Sequence, residues 1–136
     1  MKYRFIENLT SDVMFEAYGR DLKQVFENAA EAMSKVMCQI EKVRPRVKKE
    51  IVIEADDERE LMIDWLQELI ARVDIEELFF SRFEVIEISP TRLKANVYGD
   101  EIKPDLGETV VKAVTYHEFS LVKSDKGYVA RVVLDI

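Results

Sequence analysis

The chain has 136 residues, 48% hydrophobic and 35% charged, with 4 glycines and 3 prolines, the make-up of one domain with a buried core rather than a disordered segment. One cysteine, Cys38, and one histidine, His117, exclude an internal disulfide and a zinc knuckle. The net charge of −7, from 20 basic and 27 acidic side chains, opposes binding to a phosphate backbone, and no window approaches the ~20 apolar residues of a membrane span. A lone thiol and the absence of an apolar leader in Met1 to Glu7 predict a cytoplasmic protein that touches neither membrane nor nucleic acid directly. Lys, Glu, Arg and Asp are plentiful while Asn and Gln are scarce, a bias that resembles that of thermophilic proteins.

Residues 2 to 7 read as a strand, and Asp12 to Tyr18 as another in which Val13, Phe15 and Ala17 alternate with Met14, Glu16 and Tyr18 until Gly19 breaks the pattern. Asp21 and Gln24 form a cap signature for a helix of about 18 residues. Its apolar stripe includes Leu22, Val25, Phe26, Ala29, Met33 and Met37, with Cys38 at its end as an inert core thiol. Lys42 to Lys49 reads as a basic connector and Ile51 to Ile53 as a short strand. Asp57 and Glu60 cap a second helix running to about Val73, whose buried face centres on Trp65 and Leu69 and leaves Asp64 and Glu68 off it.

Phe80 to Ile88, a turn at Ser89-Pro90-Thr91 and the alternation at Leu93, Ala95 and Val97 predict a hairpin. Gly99 to Glu108 reads as a loop, Val110 to Val122 as a long strand, and Ser124 to Gly127 as the turn into a last strand from Tyr128. Grouped strands with two long helices predict a single α+β domain over residues 1–136, both helices covering one face of a mostly antiparallel sheet as a sandwich. The order of elements hints at a duplication, although the sequence shows no repeat.

Much enzymatic chemistry is missing. Glycines at 19, 99, 107 and 127 form no phosphate loop, and no serine sits in a Gly-x-Ser-x-Gly elbow. Two aspartates stand out. Asp12 opens a strand made of Val, Met and Phe; Asp135 follows Val132, Val133 and Leu134 and shares a strand face with Arg131 and Val133. Each is either an ordinary strand-end carboxylate or part of a site. If the first and last strands are neighbours, Asp12, Asp135 and the α-carboxylate of Ile136 converge, and such a cluster either raises a carboxylate pKa or recruits a cation. With oxygen ligands alone that cation is hard, Ca²⁺ or Mg²⁺. In Val111-Lys112-Ala113-Val114-Thr115-Tyr116-His117, period two puts Lys112 on one face and His117 on the other, Lys112 as an edge residue or a functional ammonium.

Taken together, several segments resemble the archease family across nearly the whole chain. Leu9-Thr10-Ser11-Asp12 with Tyr18-Gly19 is similar to the family's His-Thr-Ala-Asp opening, and Phe26 to Met33 looks like its first helix. Leu61-Met62-Ile63-Asp64-Trp65-Leu66-Gln67-Glu68-Leu69 resembles its Leu-Leu-Val-Asp-Trp-Leu-Asn-Glu-Leu helix, while Val111 to His117 and Leu134-Asp135-Ile136 match almost letter for letter. Five motifs in order at compatible spacing are specific where each alone is weak.

The resemblance implies an accessory protein rather than an enzyme, one that activates the GTP-dependent tRNA-splicing RNA ligase by promoting guanylylation of its active-site histidine and multiple turnover. It implies a divalent-cation site, with calcium as the ion and magnesium as the alternative, at Asp12, Asp135 and Ile136. Lys112, Asp64, Glu68 and His117 fall in family motifs as further candidate residues, and Leu9 stands where the family has histidine. Two other classes compete: a metal-dependent phosphate-ester hydrolase using the same carboxylates, with His117 as its base, and a chaperone-like interaction module without a metal.

Overall fold

The computed structural model describes the backbone of residues 1–8 and 11–136 and the side chains of residues 1–6 and 11–136. Among the described residues, seven strands and two α-helices follow in the order β1 (Tyr3–Asn8), β2 (Asp12–Gly19), α1 (Leu22–Met37), β3 (Val47–Glu54), α2 (Glu58–Glu76), β4 (Leu78–Ser89), β5 (Arg92–Glu101), β6 (Ala113–Ser124) and β7 (Gly127–Asp135). The fold is α+β, but its strands make two antiparallel sheets where the sequence reading has one. One is ordered β1-β2-β7-β6, the other β3-β5-β4.

Both helices touch both sheets, so they form a layer between them instead of covering one face of a single sheet. Their side chains require this. Buried positions on α1 include Val25, Phe26, Ala29, Ala32, Met33 and Ser34, and on α2 Leu61, Met62, Ile63, Trp65, Leu66 and Leu69. At 100° per residue each set spans about 200° of its helix, too wide for one sheet face and right for two. Both caps form as read: Asp21 accepts from the amide of Gln24 and Asp57 from that of Glu60, each at 2.9 Å.

Polar bonds tie the layers together. The Trp65 indole, fully buried at 0% exposure, donates to the Phe26 carbonyl at 3.0 Å and so locks α2 to α1. The Ser34 hydroxyl donates to the Phe80 carbonyl of β4. In β4 the pairing with β5 slips between Val85 and Glu87, and the Glu27 carboxylate of α1 accepts from the Val85 amide there at 2.8 Å.

Several boundaries move, among them the start of the long strand expected from Val110, which begins at Ala113 because Val110 to Lys112 belong to the segment fastened to α1. β5 runs through Gly99 to Glu101 because that glycine lies flat against the backbone of Phe79, where a Cβ would collide with the carbonyl oxygen; it marks close approach, not a loop. β3 begins at Val47, inside the expected basic connector, and α2 continues to Glu76. The segment from Ile102 to Lys112 is a strap, with a short 3-10 turn at Pro104–Leu106, fastened to the end of α1 through Gln39 N–H to Leu106, Glu108 N–H to Met37 and Thr109 N–H to Val36. Cys38 bridges to Gly107 in this junction; its thiol donates to the Ser34 carbonyl at 3.3 Å, and burial pushes its pKa above the ordinary thiol value. No helix among the described residues is long and apolar enough to cross a membrane.

Replacing Trp65 by alanine empties the junction of the two helices and the layers around them. Trp65→Ala is expected to cost about 3–5 kcal/mol, read from urea denaturation midpoints. A loss below about 1 kcal/mol would mean that the helix layer does not depend on this side chain.

Candidate functional site

The four-stranded sheet has an inner face and an outer one. Phe15, Ala17, Ala130, Val132 and Leu134 point into the core, so period two turns Asp12, Met14, Glu16 and Tyr18 of β2 and Arg131, Val133 and Asp135 of β7 to the outer side. β2 and β7 pair in unbroken antiparallel register from Asp12 opposite Asp135 to Gly19 opposite Tyr128. It is the second strand, not the first, that neighbours the last; β1 is the outer edge.

Asp12 and Asp135 are therefore direct cross-strand partners. The Ile136 amide donates to the Ser11 carbonyl at 3.1 Å, whereas the Asp135 carbonyl accepts on the other side, from the Lys112 amide at 2.8 Å. This alternation makes Asp12 and Asp135 a non-hydrogen-bonded pair, the type whose side chains lie closest. Both residues are half-buried. Two full charges ~5 Å apart repel by about 3 kcal/mol at an effective dielectric of about 20 and by less than 1 kcal/mol in bulk water. The arrangement suits a hard cation, since every donor it offers is oxygen. Among the described residues no three His, Cys, Asp or Glu side chains group to hold a metal.

The structure adds neighbours that the motif reading leaves out. Two positions along the same face, Glu16 accepts from Arg131 at 3.0 Å, from Tyr18 at 3.0 Å and from Arg4 at 3.3 Å. Burial raises the Glu16 pKa, but the hydrogen bonds from Arg131, Tyr18 and Arg4 outweigh it and leave the carboxyl below its ordinary value. The alternation of β2 marks Glu16 as outward, and Arg131 shares the face of Asp135; only the strand pairing joins them.

The other candidates scatter. Lys112 is exposed and precedes β6 by one residue; only its backbone meets Asp135. His117 lies in a bulge of β6, where Tyr116 to Phe119 stand opposite Val132 alone. Its imidazole is exposed and sits 3.7 Å from Glu118, a residue in left-handed conformation at φ 55. The same bulge is pinned to the start of α2 by Tyr116 donating to Glu60 at 3.1 Å and by Arg59 over the Phe119 ring. On α2, Asp64 is half-buried and its pKa is raised, first by burial and then by Glu60. Glu68 is held by Arg72 at 2.7 Å, so it serves the helix surface. Gln67, between them, accepts from the Val114 amide and ties α2 to β6. Leu9 lies outside the described residues.

The lowered Glu16 pKa has a pH signature. The ionised form is favoured in the folded state, so its contribution is present above the unfolded pKa of about 4.3 and is lost as pH falls through the lower folded value. With Arg4 and Arg131 partly exposed, Glu16→Gln should cost about 1 kcal/mol at pH 7, and the difference should close on acidification. Denaturation curves at several pH values give the check; a pH-independent difference would contradict it.

Comparison with known proteins agrees with this layout. The family model described as Archease protein family matches residues 3–136. The chain is 38% identical to the protein archease of Methanosarcina mazei, over 99% of this chain and 96% of that one. It is 37% identical to the protein archease of Sulfurisphaera tokodaii, over 99% of each. The solution structure of Methanobacterium thermoautotrophicum protein 1598 superposes with a TM-score of 0.81 at 35% identity, covering 99% of both chains. A Thermotoga maritima crystal structure, described as an archease and possible chaperone, shares the fold at a TM-score of 0.70 and 18% identity.

Proposed function

Because the chain belongs to the archease family, we propose that it is a non-enzymatic accessory protein of the GTP-dependent tRNA-splicing RNA ligase. In this reading it promotes guanylylation of the ligase's active-site histidine and speeds multiple turnover in the cytoplasm, without binding RNA itself. The observation that carries the reading is the Asp12–Asp135 cross-strand pair, which joins the opening and closing motifs of the resemblance on one sheet face.

Asp12, Asp135 and Ile136 are the residues that would hold a divalent cation, calcium before magnesium, because the donors they offer are all oxygen. A bound cation would neutralise the two carboxylates and offer a Lewis-acidic position to an oxygen of the partner. The protein's own part is positional. Pairing of β2 with β7 fixes the carboxylates in register, and the Glu16–Arg131 pair beside them keeps further positive charge engaged with its own carboxylate. A net charge of −7 steers the protein toward a basic, RNA-binding partner and away from RNA.

The Thermotoga maritima archease, described as a possible chaperone, favours a second reading, a chaperone-like module. A phosphate-ester hydrolase has less behind it, since His117 lies in the exposed bulge of β6, away from the Asp12–Asp135 end of β7. Phosphatase turnover by the purified protein, if abolished by Asp12→Ala, would restore the hydrolase.

Asp12→Ala and Asp135→Ala should keep the fold and reduce stimulation of ligase guanylylation at least tenfold; full stimulation by both variants would overturn the site. A second measurement needs no ligase. In chelator, Asp12→Asn should be at least as stable as the parent because the like-charge contact is relieved. Millimolar Ca²⁺ should raise the thermal midpoint of the parent and leave Asp12→Asn unmoved. Equal shifts for both proteins would place the cation elsewhere.

A further inference from the structure

We propose that the groove between the C-terminal half of α2 and the Gly107–Lys112 strap binds an extended basic segment of a partner protein. The groove holds about 860 Å³. Ile70, Ala71 and Val73 of α2, Phe79 of β4, and Val110 and Val111 of the strap supply its apolar lining. Val110 is 79% exposed, an aliphatic side chain left in water at the lip.

The charges around that lining are predominantly negative. Asp74, Glu77 and Glu108 face Lys112 alone, and among the described residues none of the three carboxylates has an ion-pair partner. Glu76, in the same helical turn, is by contrast bridged by both Lys49 and Arg72. The C-terminus of α2 adds to the field. Its last turn contains no basic residue, and it ends on Glu77 in left-handed conformation at φ 54. A helix C-terminus carries the negative end of the dipole and is stabilised by a cation near its last carbonyls. This one has acids there instead.

Together these observations select the occupant. A lone inorganic cation would satisfy the carboxylates but leave the apolar lining wet. An apolar or acidic segment would leave the carboxylates uncompensated or repelled. Lysine or arginine side chains alternating with aliphatic ones satisfy both, their stems lying along the apolar lining and their charged ends reaching the rim. The volume suits a short length of extended chain. The site is distinct from the Asp12–Asp135 pair and holds whether or not the ligase reading does, although Lys112 links the two by donating its amide to Asp135.

The test is amide chemical-shift mapping of the full-length chain with the peptide acetyl-Lys-Leu-Arg-Val-Lys-Leu-amide. Its glutamate-for-basic counterpart and spermidine serve as the other arms. The expected result is saturable shifts at Ala71, Asp74, Val110 and Val111 with the basic peptide. Affinity should fall at least fivefold in the exposed double variant Asp74→Asn, Glu108→Gln, and at least threefold in Val110→Ser. Shifts centred elsewhere, or affinity unchanged in either variant, would overturn the proposal. Equal binding of spermidine in the same place would overturn it too, by making the ligand a small polycation.

Discussion

Everything at the candidate site depends on the hydrogen-bonded register between β2 and β7. Because side chains alternate with a period of two, one residue of slip would bury Asp12 in the helix layer and turn Val13 outward. That cannot happen cheaply, since Phe15, Ala17, Ala130, Val132 and Leu134 are all committed to the core. The core therefore holds Asp12 and Asp135 directly opposite each other across the strand pair, although like charges at facing positions repel.

The second constraint is the helix layer. With α1 and α2 between two sheets, each helix must be apolar over more than half its circumference, and its polar side chains act as ties where they touch a sheet. Glu27 satisfies an amide freed by the bulge in β4, Gln67 reaches the Val114 amide of β6, and Trp65 bonds the Phe26 carbonyl. Asp64, Gln67 and Glu68 thus lie along one helix surface yet differ in task. One is a half-buried acid, one a tie to β6 and one an ion-pair partner of Arg72.

Much of this was legible in the residues. Asp21 with Gln24 and Asp57 with Glu60 mark both helix starts, the alternation around Phe15 and Ala95 marks strands, and the possible meeting of Asp12 and Asp135 can be posed from their positions alone. Which strands pair is not local information. Alternation tells that a strand has one buried face but not which neighbour supplies its hydrogen bonds, so two sheets read as one. Gly99 misleads because a glycine needed for close backbone approach looks the same in sequence as one needed for a turn. The β6 bulge hides for a similar reason: Val114 and Phe119 are both buried, five residues apart, and only pairing with β7 reveals that the strand departs and returns.

The clasp around Cys38 gives the strap its own thermodynamics. Its thiol is buried where Gly107 pairs back to the end of α1 and against Val43 and Phe79, so a reagent in solvent can reach the sulfur only when this local packing opens. The lone thiol is thus a built-in reporter of sub-global opening: its alkylation rate measures how often this junction opens, separately from the melting of the sheets.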